Sequence, residues 1–244
     1  RADIIVAGLA VAAEVMARIE AREMVVSAFG IREGLLLEAA RIAPVVAETG
    51  EARSRSVMQL AERSHYEAPH AHKVQSIALK IYDALAERLQ LSASDRCILA
   101  DAALLHDIGY HINFEAHHKH SYHLILHAEL LGMTPTERVL VANVARYHRG
   151  AVPRREHRGY AGLDRQLRRR IKRLAAILRV ADGLDRGHAS AVEDITINLT
   201  RSGLEIRAVP ASNAYDMRLE LWGATRKADL LGEVLGVPVR IEAG

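Results

Sequence analysis

The stretch Leu104-Leu105-His106-Asp107-Ile108-Gly109-Tyr110 constrains this chain more than any other. A run of small and apolar residues (Ile98, Leu99, Ala100, Ala102, Ala103, Leu104, Leu105) leads directly into an imidazole and a carboxylate, and a glycine follows. An apolar helix of this kind presents His106 and Asp107 from core positions. Burying an ionised group is costly unless it is paired or bound to a metal. The pair therefore points to one corner of a metal centre, for which the rest of the chain must supply partners.

Phosphate chemistry at a metal needs imidazole and carboxylate ligands converging from several elements, with a position left open for water. The candidates are His72 at the start of one helix, His106 and Asp107 at the end of another, and Asp182 on a third. Asp182 follows Leu178 by four residues and Ala175 by seven, so it shares the apolar face of its helix. A carboxylate there needs a cation, either a metal or one of the nearby arginines. Asp185, one turn on, suits either a supporting role or an exposed position. From composition alone His65 and His70 rival His72. His117, His118, His120, His123 and His127 crowd the next helix start, where His120, His123 and His127 share one face. His148 ends the following helix and precedes Arg149. Thirteen histidines in all suggest a second metal or a phosphate-binding, pH-sensitive cluster.

The periodicity places these residues on elements. Residues 4–20 predict a helix, 23–29 a strand and 31–40 a helix. Residues 49–56 are polar and predict a linker, and from 57 onward the chain is helical for more than a hundred residues. The helix beginning near Pro69 carries a clear apolar stripe of Val74, Ile77, Ala78, Ile81, Tyr82, Leu85 and Leu89. Ser92 or Ser94 caps the helix that ends in His106-Asp107. Residues 120–131 predict a helix closed by Gly132. Thr134-Pro135-Thr136-Glu137 combines a capping residue, a first-turn proline and a reciprocal glutamate. A loop over 150–162 precedes a long helix over 164–184. Alternation over 194–200, 204–208 and 217–221 predicts strands, 224–235 a helix and 237–241 a last strand.

Charge and composition narrow the partners. Between Arg146 and Arg186 lie 13 Lys and Arg against four Asp and Glu, in a chain of net charge +3. A basic segment beside a chemical site suits an anionic partner. Nucleic acid is disfavoured, because Arg154–Arg179 holds one aromatic residue, Tyr160, to stack on bases. The single cysteine, Cys97, forms no internal disulfide and fits a reducing, cytoplasmic compartment. No apolar run is long enough to span a membrane. The first residues carry neither a start methionine nor a signal-peptide pattern, as expected of a stretch that begins inside a larger protein.

The ordered set His72, His106-Asp107, Asp182 resembles the H…HD…D pattern of the HD superfamily of metal-dependent phosphohydrolases. The segments Leu105 to Asn113, His118 to Tyr122, Arg146 to Arg149 and Leu178 to Arg186 resemble more particularly the C-terminal helical domain of the exopolyphosphatase and guanosine pentaphosphate phosphohydrolase (Ppx/GppA) family. Arg1 to Gly8 and Phe29 to Leu36 are similar to the end of that family's second actin-like lobe.

The resemblance implies a mainly α fold: an HD-type helical domain over 57–189, flanked by a short αβα remnant of an actin-like lobe over 1–48, a linker over 49–56 and a small C-terminal α+β unit over 190–244. It places the family's main active site in N-terminal lobes of which this chain holds only the end. For the helical domain it implies a divalent metal (Mn, Fe, Zn, Ni or Mg) held by His72, His106, Asp107 and Asp182. Asp107 would also relay a proton, and His120 and His148 would hold a second metal or contact phosphate. Lys119, Arg149 and Arg186 would grip phosphate oxygens. The implied substrate is polyphosphate or guanosine pentaphosphate, and the implied assembly a homodimer. Two readings share that polyanionic ligand: a metal-dependent phosphohydrolase, or a non-catalytic binding and dimerisation module of the larger exopolyphosphatase.

Overall fold

The computed structural model describes residues 5–24, 31, 32, 35, 49–212 and 216–244, and the chain divides into two units, Arg1–Ala47 and Glu48–Gly244. In the first unit, helix α1 (Ile5–Arg18) carries apolar Ile5, Leu9 and Val15 exposed. The strand expected over 23–29 and the helix over 31–40 fall mostly outside the described residues.

The second unit is mainly α with a small α+β part at its end. It contains α2 (Thr49–Arg63), α3 (Ala68–Leu85), α4 (Ala93–Leu105), a 3-10 turn (Ile108–His111), α5 (His117–His127), α6 (Pro135–Arg146), α7 (Arg158–Ala161) and α8 (Arg165–Gly183). The chain then forms β1 (Val192–Leu199), β2 (Leu204–Pro210), α9 (Arg218–Lys227), α10 (Asp229–Leu235) and β3 (Val239–Ala243). Among the described residues no helix is long and apolar enough to cross a membrane.

Helix boundaries follow local chemistry. Ser92 and Asp95 form a reciprocal box at the start of α4, and Thr134 and Glu137 do the same for α6 with Pro135 at its first position. Asp164 opens α8 by accepting from the Leu167 N–H at 2.8 Å. Helix α8 is the hub. Its buried residues run from Ile171 to Gly183, and it packs against α3, α4, α6, α9 and α10. The sheet pairs β1 antiparallel to β2 and β2 parallel to β3, in the order β1-β2-β3. Its buried side chains, among them Ile195, Ile206 and Ala208, join the same core as the helices.

Several expectations are corrected. Residues 49–56, read as a linker, are the first half of α2, where Arg53 is tied into the fold by ion pairs. Arg53 reaches Asp101 on α4 at 2.7 Å and Glu137 on α6 at 2.6 Å. Residues 217–221, read as a strand, lie almost wholly in α9, where Glu220, Gly223 and Ala224 are buried at helical spacing. The helix expected over 120–131 starts earlier, at His117, and ends at His127. Much of the basic excess is spent internally: Arg170 pairs with Asp95, Lys172 with Glu233, and Arg179 donates to the carbonyls of Tyr147 and Gly150. Cys97 is exposed on α4.

Burial pushes the Asp101 carboxyl up to about 6, although the Arg53 guanidinium beside it pulls the other way. Arg53→Ala leaves that carboxyl buried and unpaired. The expected cost is about 2–3 kcal/mol at pH 8, measured by denaturant unfolding. A carboxyl whose folded value is raised contributes stability at low pH and loses it as pH rises through that value. The loss in Arg53→Ala should therefore be smaller at pH 5 than at pH 8.

Candidate metal centre

Three elements deliver the inner residues. His70 comes from the first turn of α3, where Pro69 sets the helix start. It is four residues before Val74 and seven before Ile77, so it continues the buried stripe of that helix. His106 and Asp107 follow the last turn of α4, and Asp182 lies near the end of α8, all on the core side. The Nε2 atoms of His70 and His106 are 3.2 Å apart. Asp107 Oδ2 lies 3.7 Å from His70 Nε2 and 3.4 Å from His106 Nε2, and Asp182 Oδ1 lies 3.7 and 3.9 Å from the same atoms. A divalent ion bonded at about 2.0–2.2 Å to tetrahedrally placed ligands separates them by about 3.3–3.6 Å. The donor set fits.

A second group shares Asp107. Its other oxygen, Oδ1, is 3.1 Å from His117 Nε2 and 3.3 Å from His148 Nε2, and the two imidazole nitrogens are 3.4 Å apart. Asp107 Oδ1 is buried and accepts no hydrogen bond among the described residues. One carboxylate thus stands between two histidine pairs, with one oxygen turned to each.

The supporting contacts decide which ring nitrogen faces inward. Nδ1 of His106 is 2.6 Å from the Ala103 carbonyl, Nδ1 of His148 is 2.7 Å from that of Ala145, and Nδ1 of His117 is 3.0 Å from that of Phe114. Nδ1 of His70 is 2.8 Å from Asp185 Oδ2. An oxygen acceptor favours Nδ1–H, so each of the four rings in its neutral form turns an Nε2 lone pair into the centre. This arrangement is typical of metal-bound histidines. Asp185 is fully buried, and its other oxygen accepts from the Ser190 N–H at 2.9 Å.

The electrostatics agree with a site built for cations. Burial alone would raise the Asp107 carboxyl, but His106, His117 and His148 hold it well below the usual carboxylate range. Burial acts likewise on Asp182, and Lys227 with His148 and His106 outweigh it, so this carboxyl too lies far below the usual range. Lys227 reaches in from α9 and pairs with Asp182 Oδ2. Burial pushes the His106 and His148 imidazoles down, favouring the neutral, ligating form. Burial also lowers His70, but the Asp185 hydrogen bond and the Asp182 and Asp107 charges raise it overall.

The turn after Asp107 fixes the second group. A Cβ on Gly109 would lie 2.0 Å from the His117 carbonyl oxygen, so only glycine lets the 3-10 turn close on the start of α5. The Gly109 N–H also donates to Ser121 Oγ at 2.9 Å. Arg179, buried under the loop after α6, holds the carbonyls on either side of His148-Arg149. Above the centre lies a cleft of about 570 Å³ lined by Tyr110, Phe114, Arg149, Arg186, His188 and Leu219, among others. The His188 ring stacks on His70 at 3.6 Å, and its Nδ1 is 2.7 Å from Glu67.

The structure brings together His106, Asp107, Asp182 and His148 of the expected ligands, with Arg149 and Arg186 at the cleft. It does not bring in His72, which is exposed and lies 3.3 Å from the Tyr66 hydroxyl. His70 stands in its place, because His72 is off the buried stripe of α3. His120 is likewise off the buried face of α5, which runs through His117, Ser121 and Ile125, and His117 stands in its place. Lys119 is exposed and lines neither this cleft nor the smaller one beside it. Asp107, expected also to relay a proton, has both oxygens turned to histidine pairs, which suits a shared ligand better. Sequence reasoning named His70 and His117 among the crowded histidines without assigning them as ligands, and missed His188 and Lys227. The first two were recoverable by extending the buried stripes backwards, four and seven residues from Val74 and Ile77 in α3 and four and eight from Ser121 and Ile125 in α5; for the last two the sequence carries no local signal.

Comparison with known proteins gives a consistent picture. The family model described as Ppx/GppA phosphatase, domain III, matches residues 52–222. A relative named guanosine-5'-triphosphate,3'-diphosphate pyrophosphatase, from Pseudoalteromonas atlantica, is 27% identical over 178 residues, covering 71% of this chain and 34% of that protein. One of the same name from Pseudoalteromonas translucida is 26% identical over 201 residues, covering 80% of this chain and 40% of that protein. The chain thus spans well under half the length of these curated relatives.

Metal content separates the two histidines of α3. After loading with divalent manganese and desalting, His70→Ala should lose at least one ion per chain relative to the parent protein in elemental analysis. His72→Ala should retain the parent stoichiometry. Equal content in all three proteins would contradict the ligand assignment.

Proposed function

Because the chain belongs to the Ppx/GppA phosphatase family through its domain III, we propose that its helical domain is itself a two-metal phosphohydrolase for phosphate esters or anhydrides, of the polyphosphate or guanosine pentaphosphate class. The observation that carries this reading is the convergence of four Nε2 lone pairs, each fixed by an oxygen at Nδ1, around the two oxygens of Asp107. His70, His106 and Asp182 would hold one divalent ion and His117 and His148 the other, with Asp107 shared. Bound there, such ions supply a water of lowered pKa and neutralise charge on the phosphoryl oxygens. The donor types suit Mn, Fe, Zn, Ni or Mg without selecting among them.

The remaining residues bind and orient. Arg149 and Arg186 line the cleft above the centre, where fork-shaped donors match phosphate oxygens. Arg149 is tied to the centre, with Nη1 3.3 Å from His117 Nε2. Tyr110 packs on the His117 ring at 3.8 Å and His188 on His70, so both inner histidines are walled from bulk water on the cleft side. Asp185 fixes the His70 ring, and Lys227 offsets the buried charge of Asp182. The relatives' printed name, a pyrophosphatase of guanosine-5'-triphosphate,3'-diphosphate, is consistent with this substrate class.

Asp107→Asn keeps the side-chain shape but removes the charge shared by the two groups. Metal-dependent phosphate release from inorganic tripolyphosphate or guanosine pentaphosphate should fall by about 10³-fold or more, with the melting temperature little lowered. Release that persists at the parent rate in Asp107→Asn, or that needs no metal, would reject this function. Absence of turnover by a metal-loaded parent protein would favour a binding role.

A further inference from the structure

Helix α5 carries histidines on two faces. His117 is buried with Ser121 and Ile125 and belongs to the centre described above. His120, His123 and His127 share the other face and take no part in it. His123 and His127 are both exposed and one turn apart, and their rings are parallel to within 1° with centroids 6.3 Å apart. Side chains at this spacing start from Cβ atoms about 5–6 Å apart. Zinc–nitrogen bonds are about 2.0–2.1 Å long, so two such imidazoles reach one ion after rotation of their exposed side chains. The spacing is that of paired metal-binding histidines on a helix. His127 is also the last residue of α5, where unsatisfied carbonyls favour a cation.

A second observation supplies the remaining donors. His127 lines a groove of about 570 Å³ together with Gln59, Glu62 and Arg63 of α2 and with Glu129, just past the end of α5. The Ser56 hydroxyl, also at this groove, donates to the Leu131 carbonyl at 3.2 Å and ties α2 to the segment after α5. Glu62 and Glu129 are exposed, and among the described residues neither forms an ion pair. Two imidazoles from α5 and two carboxylates from the groove make a four-donor set.

We infer that His123 and His127, with Glu62 and Glu129, form a separate outer site for a divalent transition-metal ion, and that the bound ion clamps α2 to the end of α5. The site takes zinc, nickel or copper in preference to manganese or magnesium, because imidazole suits the former and the latter favour oxygen ligands and water. Among the described residues no carbonyl or carboxylate holds Nδ1 of His123 or His127, in contrast to the four inner rings. The outer ion is therefore the more weakly held and the first to leave under a chelator. None of this depends on the function proposed above.

The full chain, free of any affinity tag, is stripped by a chelator and dialysed against buffered zinc, and bound zinc is counted by elemental analysis. The parent protein should hold one zinc per chain more than the double variant His123→Ala/His127→Ala, whose substitutions are both at exposed positions. His72→Ala, an exposed histidine elsewhere, should keep the parent count. In a zinc competition titration Glu62→Gln and Glu129→Gln should each weaken the outer ion by about tenfold or more. With manganese in place of zinc, the double variant and the parent should bind equally. Equal zinc counts in the parent and the double variant would overturn the outer site. An unchanged titration in Glu62→Gln would overturn the clamp between the helices. Manganese lost alongside zinc in the double variant would overturn the preference for zinc-like ions. His70→Ala should lose inner metal yet keep the zinc that depends on His123 and His127. That zinc, found in a protein with no metal-dependent turnover, would keep the outer site and reject the phosphohydrolase reading; turnover in a protein without it would do the reverse.

Discussion

Two buried carboxylates, Asp182 and Asp185, and the largely buried Asp107 sit together with four inward-facing imidazoles, and the rest of the second unit is arranged to make that arrangement tolerable. Anions removed from water require cations or hydrogen-bond donors close by. Lys227 answers one oxygen of Asp182, the Nδ1–H of His70 answers Asp185, and the Ser190 N–H answers its other oxygen. The oxygens left over point at imidazole nitrogens that are already committed on their far side. What remains is a cluster of carboxylate and imidazole donors of the kind that could hold a metal ion.

The scaffold explains why so many elements surround so small a volume. Helix α8 holds Asp182 on its apolar face and packs against five other helices, so a shift in any of them moves a ligand. Gly109 admits the α5 start, Gly183 admits α9, and Arg179 ties down the loop that carries His148. The C-terminal part is thereby more than an appendage: its α9 brings Lys227 to the centre and Trp222 and Arg226 to the adjoining cleft. The basic segment has a divided role. Arg170 and Arg179 are tied within the fold and Lys172 pairs at the surface, while Arg149 and Arg186 face the cleft.

Much of this was legible in residue order. The apolar run into His106-Asp107 placed that pair at the end of a buried helix, and four- and seven-residue spacing put Asp182 inward. Capping chemistry placed the starts of α4 and α6. The failures are instructive because they share a cause. His72 was preferred to His70, and His120 to His117, by family pattern and crowding rather than by register. In both cases the buried position is the one in step with the helix's own stripe, Val74 and Ile77 in α3 and Ser121 and Ile125 in α5. The polar 49–56 segment misled in another way, since its Arg53 is satisfied by acids 48 and 84 residues further on. Alternation over 217–221 was too short to exclude a helix.

The sequence by itself determined the class of fold, the placing of His106-Asp107 at the end of an apolar helix and the inward Asp182. These follow from periodicity and from the cost of burying charge, which are local properties of a chain. Only the tertiary structure decided that His70, His117 and His148 gather around Asp107, and that Lys227 and Trp222 arrive from α9. Those assignments depend on which faces of distant helices meet and on which ring nitrogen a backbone carbonyl or carboxylate claims. Neither is encoded within a few residues of the side chain concerned.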